Sequence, residues 1–244
     1  MNRITFLFVW LLGVTISHAQ IAPCELIPKP LHCIEKPGVF EIHPAIKIYA
    51  PPKFADVALL FSEQLNLGNN ALTQSHSAQI VFQVTSDMQN PEAYRLTIEP
   101  TRVVISASDK RGALHAVFTL VQLQLLQPDL TKLPCAEIAD APRFAYRGMH
   151  LDVSRNFFPV SFIKLYIDLM ALYKYNTFHW HLTDGPGWRL EIMKYPELTS
   201  KAAFRTHKTW KEWWNSGRKY SNEGDPMAYS GYYTQNDARE IVIH

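Results

Sequence analysis

The stretch that most constrains this chain is residues 146–199, where two strand-like runs bracket an amphipathic helix. The first run covers residues 150–155, the helix runs from about Ser161 to Tyr173, and the second run covers residues 177–184. This is one β-α-β step, and two strands joined by a helical crossover lie parallel in one sheet. Each run ends in charged residues, Arg155 on the first and Asp184 on the second. In α/β barrels the carboxyl ends of the strands are where chemistry is built.

Inside the step, the sequence predicts a first strand at about 147–153, Pro159 as a breaker and Ser161 as the helix N-cap. Phe162, Leu165, Tyr166, Leu169, Met170 and Tyr173 form a stripe suited to packing on a sheet, and Asn176 ends the helix. A long connection follows from Trp188 to about Tyr233, holding Trp210, Trp213, Trp214, Tyr220, Tyr229, Tyr232 and Tyr233. Loops this long in compact domains are usually functional. Flat rings there can stack on sugar faces or simply pack the loop onto its scaffold. Thr234 and Asp237 then open another helix as an approximate capping box.

Residues 20–141 read as a small α/β domain with strands at 46–49, 79–84, 94–99 and 103–107. One helix is expected at 54–67, stopped by Gly68-Asn69-Asn70, and a second from Asp109 to Pro128. Pro100-Thr101-Arg102 predicts a hairpin between the last two strands. His115 falls in the second helix as a packed or surface residue. Residues 138–143 read as the linker, with Pro142 at the boundary.

Three motifs bring a resemblance. Residues 147–155 (Arg-Gly-Met-His-Leu-Asp-Val-Ser-Arg), residues 176–184 (Asn-Thr-Phe-His-Trp-His-Leu-Thr-Asp) and Gly187-Trp188-Arg189 resemble the β-N-acetylhexosaminidases of glycoside hydrolase family 20. The likeness reaches from about Leu26 to the last residue. It implies a small α/β accessory domain at 20–141, then the first part of a (β/α)8 TIM barrel at 142–244, truncated after about two β-α units. A complete barrel takes about 250 residues. The chain therefore reads as the amino-terminal part of a longer exo-β-N-acetylhexosaminidase, which would release terminal N-acetylglucosamine or N-acetylgalactosamine from glycans or chitin oligomers.

The resemblance also assigns roles. Arg155 matches the arginine that grips the 3- and 4-hydroxyls of the terminal sugar, though its residue type and place equally suit an ion pair with Asp152. Asp184 matches the aspartate that pairs with a histidine from a later loop, or it caps the turn at 184–187. Many relatives carry a second acid after that aspartate, where Gly185 stands here. Most glycosidases use two carboxylates, but this family uses the substrate's own acetamido oxygen as nucleophile, with retention. A glutamate protonates the leaving oxygen and the preceding aspartate steers the acetamido group. No Asp-Glu dipeptide occurs among the 244 residues, so no catalytic pair is assigned here and one is expected beyond His244. The chain alone is expected to be inactive, and a glycan-binding product without hydrolysis is the alternative.

No cofactor is expected. His179-Trp180-His181 fits the His-x-His pattern of metal-dependent hydrolase barrels, a third reading, but residues two apart share a face of any strand. No metal is assigned. A formal charge of +2 with no basic run implies neither nucleic acid nor an anionic membrane as partner.

Arg3, the apolar run 4–16 and Ser17-His18-Ala19 read as a signal peptide over residues 1–19, with Gln20 the first mature residue. The product is then expected to be exported, to a periplasmic, secreted or lysosome-like compartment, with no membrane association after cleavage. Cys24, Cys33 and Cys135 are expected to be non-catalytic, and Cys24–Cys33 would close a small disulfide loop.

Overall fold

The computed structural model describes residues 25–67 and 71–244. The signal-peptide reading, Cys24 and the Gly68-Asn69-Asn70 stop lie outside them. Among the described cysteines, Cys33 is disulfide-bonded and Cys135 is a buried free thiol.

The first half is a seven-stranded mixed sheet. Its strands are β1 (His32–Glu41), β2 (Ile48–Tyr49), β3 (Leu72–Thr73), β4 (Ile80–Val84), β5 (Tyr94–Glu99), β6 (Arg102–Ala107) and β7 (Lys132–Asp140). They lie in the order β1-β7-β5-β6-β4-β2-β3. Alternation sets this sheet: in β5, Tyr94, Leu96 and Ile98 are buried while Arg95 and Glu99 are exposed. Helices α1 (Ala55–Gln64) and α2 (Lys110–Leu125) pack on it, and their Val57, Ala58, Phe61, Ala113, Ala116 and Leu120 join the same core. Each fully buried Phe or Leu there contributes about 1.5–3 kcal/mol of transfer free energy.

Several expectations hold in this half. Glu99 pairs with Arg102, so Pro100-Thr101 is a two-residue hairpin. Asp109 caps α2, its carboxylate accepting from the Arg111 N–H at 3.2 Å. Others need correction. Residues 138–140 are not linker but the end of β7, paired with both β1 and β5. β1 escapes the periodicity reading because Pro37 and Gly38 sit inside it. The register shifts between Glu35 and Val39, Gly38 takes φ +109°, and the strand lies at the sheet edge, where such a bulge is tolerated.

In the second half, β8 (Gly148–Asp152), α3 (Val160–Leu172) and β9 (Thr177–His181) form the anticipated β-α-β step, with β8 and β9 parallel and His150 opposite His179. The helix start is Pro159 rather than Ser161, and no side chain caps it. The inward face is only partly the expected stripe, of which Met170 is buried. Ile163 and Met170 are buried and Ile167 joins them, whereas Phe162, Leu165, Leu169 and Tyr173 stay substantially exposed. The helix is apolar around most of its circumference, so spacing alone does not choose the inward side.

The second run stops at His181, and Thr183–Asp184 turns off as β10, pairing with β11 (Gly187–Trp188) in a small hairpin. The long connection carries α4 (Glu197–Ser200), β12 (Phe204–Arg205), α5 (Trp210–Asn215) and β13 (Tyr229–Ser230), with β12 and β13 paired. Helix α6 (Gln235–Ile243) follows, and both bonds of the Thr234–Asp237 capping box are formed. Val153, Ile163, Tyr233 and Ile241 make a second, smaller core.

The halves meet over α2 and the β5–β7 end of the large sheet. Glu92 receives a fork from Arg147, at 2.6 and 3.1 Å, and Lys174 Nζ reaches Asp140 Oδ2 and the Tyr94 hydroxyl, each at 2.9 Å. Gln122 Nε2 donates to Leu172 O at the end of α3. His115 is packed rather than exposed, with Nδ1 3.2 Å from Glu92 O.

Candidate functional site

The site lies at the carboxyl ends of β8 and β9. Beyond Asp152 the chain turns sharply: Arg155 N–H donates to Asp152 Oδ1 at 3.0 Å, which folds the Arg155 side chain back over the strand end. Its Nη1 contacts Asp152 Oδ2, and its Nη2 lies 2.8 Å from Asp184 Oδ2 on the β10–β11 hairpin. Both proposed roles for Arg155 are thus compatible. The ion pair with Asp152 is made, yet the guanidinium is about 40% exposed, and a fork of five donors satisfied at two positions retains free N–H groups. Asp184 also accepts from Gly185 N–H at 2.6 Å and lies 3.7 Å from His181 Nε2. The turn role is thus made, whereas His181, on β9, precedes Asp184 and is not the later-loop histidine of the pairing role.

These groups hold one another's charge. Burial pushes Asp152 upward, but the Arg155 amide and guanidinium outweigh it and keep the carboxyl below its ordinary value. The Gly185 N–H, and after it Arg155, hold Asp184 low. Arg155 is raised in turn, first by its hydrogen bond to Asp152.

Two buried arginines build the floor. Arg189 is fully buried, and its guanidinium donates to Val153 O at 3.0 Å, Ser154 O at 2.7 Å and Gly231 O at 3.0 Å, and also to Ala203 O. Burial, and then the neighbouring Arg205, pull its pKa down to about 10. Arg205 donates from Nη1 to Arg155 O at 2.6 Å. The turn bearing Arg155 is therefore clamped through its carbonyls from below. Ser154 Oγ donates to Gly187 O at 2.8 Å, binding the same turn to the hairpin. A side chain at Gly187 would place its Cβ 2.3 Å from the Arg189 guanidinium, so only glycine fits there. Sequence reasoning missed both arginines as site builders. Arg189 stood in the Gly-Trp-Arg motif, but an arginine satisfied only by carbonyls leaves no acidic partner in the sequence to betray it.

On the face of β8 and β9 turned away from α3, His150, His179 and His181 cluster. His150 and His179 meet edge-on with ring centroids 4.7 Å apart, and His150 Nε2 lies 3.3 Å from His181 Nδ1. Among the described residues, no group of three His, Cys, Asp or Glu side chains is placed to hold a metal ion. The aromatic connection divides in two. Tyr233 is a buried packing residue, whereas Trp210, Trp213, Trp214 and Tyr220 line a cleft of about 340 Å³ next to Arg155 and Asp184, Trp213 from a buried position with its Nε1 donating to Lys219 O.

Comparison with known proteins agrees with this architecture. Residues 23–141 match the model of glycosyl hydrolase family 20, domain 2, and residues 144–244 match that of the family's catalytic domain. A beta-hexosaminidase of Vibrio furnissii is 36% identical over 232 residues, spanning 94% of this chain and 36% of the relative. One of Porphyromonas gingivalis is 33% identical over 89% of this chain and 28% of its own length. The chain thus spans about a third of the length of the curated relatives it matches. Among solved structures, a GH20 exo beta-N-acetylglucosaminidase from Vibrio harveyi in complex with N-acetylglucosamine superposes with a TM-score of 0.75. Its identity is 32%, over 91% of this chain and 34% of that one. A mutant Streptomyces plicatus beta-hexosaminidase in complex with product gives 0.73 at 29% identity, over 91% and 44%.

Proposed function

This chain belongs to glycosyl hydrolase family 20, and from that premise we propose that it forms part of an exported exo-β-N-acetylhexosaminidase, with Arg155 and Asp184 in its pocket for the terminal sugar. The observation that carries this reading is the Arg155 guanidinium, braced between Asp152 and Asp184 at the carboxyl ends of two parallel strands with donors still free. A planar fork fixed from two sides suits two neighbouring sugar hydroxyls. Bracing settles the side chain before the sugar arrives, which lowers the ordering cost of binding. Asp184 holds that fork in place, and its ionised state keeps the guanidinium aligned.

The reaction of the whole protein is proposed to be retaining hydrolysis in which the substrate's 2-acetamido oxygen attacks the anomeric carbon. The 244 residues hold no Asp-Glu dipeptide, so the proton donor and the acetamido-steering acid of that mechanism are not among them. The work of these residues is recognition: they bind the non-reducing end of an N-acetylhexosamine-terminated glycan or chitin oligomer and leave it uncleaved.

The test is direct. Purified chain is titrated with N-acetylglucosamine and separately incubated with an aryl N-acetyl-β-glucosaminide. Saturable binding that Arg155→Ala abolishes, with no release of the aryl alcohol, supports the proposal. Turnover by the chain alone refutes the division of labour, and binding indifferent to Arg155→Ala refutes the site.

A further inference from the structure

The sugar-binding reading of Arg155 makes no use of the three histidines on β8 and β9, yet one of them stands among its carboxylates. His181 is the last residue of β9 and lies opposite Asp152 in the register of the parallel pair. Asp184 follows three residues later, so His181 sits between the two acids that brace Arg155. Its Nε2 is 3.1 Å from Thr183 O, and its Nδ1 is 3.3 Å from His150 Nε2.

Hydrogen-bond chemistry fixes the direction of this chain. A carbonyl oxygen only accepts, so His181 carries a proton on Nε2 and donates to Thr183 O. Nδ1 of the neutral ring is then an acceptor, and His150 donates to it from Nε2. Asp184 Oδ2 is 3.7 Å from His181 Nε2, beyond hydrogen-bond range, so the ring reaches that carboxylate through the backbone. Thr183 is where the chain, having left β9, enters the β10–β11 hairpin that brings Asp184 within 2.8 Å of Arg155 Nη2. The bond from the His181 ring to the Thr183 carbonyl holds that departure at its first step.

We propose that His181 is a positioning residue for the sugar-binding fork: by holding the Thr183 carbonyl it places Asp184 against Arg155, and His150 keeps its ring in the donating tautomer. The inference rests on the reading of Arg155 as the residue that grips the terminal sugar, and it adds two residues that act on that grip through Asp184.

Two readouts on the full chain test it. Titration with N-acetylglucosamine measures the fork in use, and heteronuclear NMR reads the Arg155 Nε–H and the imidazole tautomers with no sugar present. His181→Ala weakens sugar binding about tenfold, the upper end of what one hydrogen bond contributes, and broadens the Arg155 signal. His181→Gln supplies an amide N–H at similar reach and restores both. His181→Phe fills the space of the ring without a donor and restores neither, whereas a residue that only packs would rank phenylalanine above glutamine. His150→Phe leaves the His181 ring divided between tautomers and costs part of the same affinity. Thermal unfolding reports whether each variant is folded, and if the alanine variant is not, the glutamine and phenylalanine pair carries the same comparison. Sugar binding that needs Arg155 but ignores His181→Ala, equal rescue by phenylalanine, or a wild-type His181 protonated on Nδ1 alone overturns the proposal. Failure of the parent reading looks different. An Arg155 signal that follows the His181 variants, while sugar binding is missing or ignores Arg155→Ala, leaves the positioning standing and removes the sugar.

Discussion

Lys174 Nζ sits 2.9 Å from Asp140 Oδ2, with both side chains almost wholly withdrawn from solvent, and this contact joins the barrel segment to the end of β7. Burial lowers the Lys174 pKa, and Asp140 offsets part of that cost. Lys174 has φ +61°, a left-handed conformation just after α3 that aims its amine at the large sheet. Removing one partner of such a pair leaves the other charge buried and unpaired. Lys174→Met is expected to cost about 3–5 kcal/mol, and adding Asp140→Leu recovers much of the loss. Urea unfolding of the single and double variants measures both.

The pH dependence of stability follows from the adjoining network. Burial holds His115 below its ordinary 6.5, so as pH falls the unfolded chain takes up that proton before the folded one. Stability therefore declines from about pH 6.5 downward until folded His115 itself protonates. Glu92 is held below 4.5, chiefly by Arg147, and adds a second decline that begins near pH 4.5. His115→Gln is expected to flatten the first decline and leave the second. Thermal midpoints between pH 7.5 and 4 separate the two, and a first decline unchanged in the variant refutes the assignment.

Gly187→Ala tests the clamp under Arg155. The new methyl meets the Arg189 guanidinium, which has no room to move without abandoning the carbonyls of Val153 and Ser154. Overpacking of this kind costs about 1–3 kcal/mol. The turn bearing Arg155 moves with it, so sugar affinity falls alongside stability. A variant that loses stability at full affinity would show that Arg189 does not set the fork.

Arg155→Lys keeps the charge and loses the fork. One ammonium cannot face Asp152, Asp184 and two hydroxyls in a plane, so affinity for N-acetylglucosamine is expected to drop about 10- to 100-fold. The ion pairs it disturbs are part-exposed, so the thermal midpoint moves little. Titration and a melting curve on the same sample check both halves of the statement.

What could be read from the sequence was local. The β5–β6 hairpin, the Asp109 cap, the Thr234–Asp237 box and the β-α-β step each rest on residues within a few positions of one another. What could not be read depends on distant partners. β1 pairs with β7 about a hundred residues away, and Pro37, Gly38 and Pro134 blur the alternation of both strands. The inward face of α3 is chosen by Leu151, Phe178 and Trp180 on the strands beneath it, not by its own spacing. In the site, the positions of Arg155 and Asp184 at strand ends were legible. Their direct 2.8 Å contact was not, because it requires the chain to leave β9 at Leu182 and double back through Gly185.

The contacts of Glu92 with Arg147 and of Asp140 with Lys174 also carry a temporal meaning. The large sheet closes on itself using residues that all precede Arg147, and it emerges first during synthesis. Once made, it presents two carboxylates at fixed positions to whatever follows. The β8-α3-β9 step, with only a small core of its own, is then delivered to a finished dock rather than left to find its place unaided. The first half of the chain is in this sense a template on which the barrel starts to be wound.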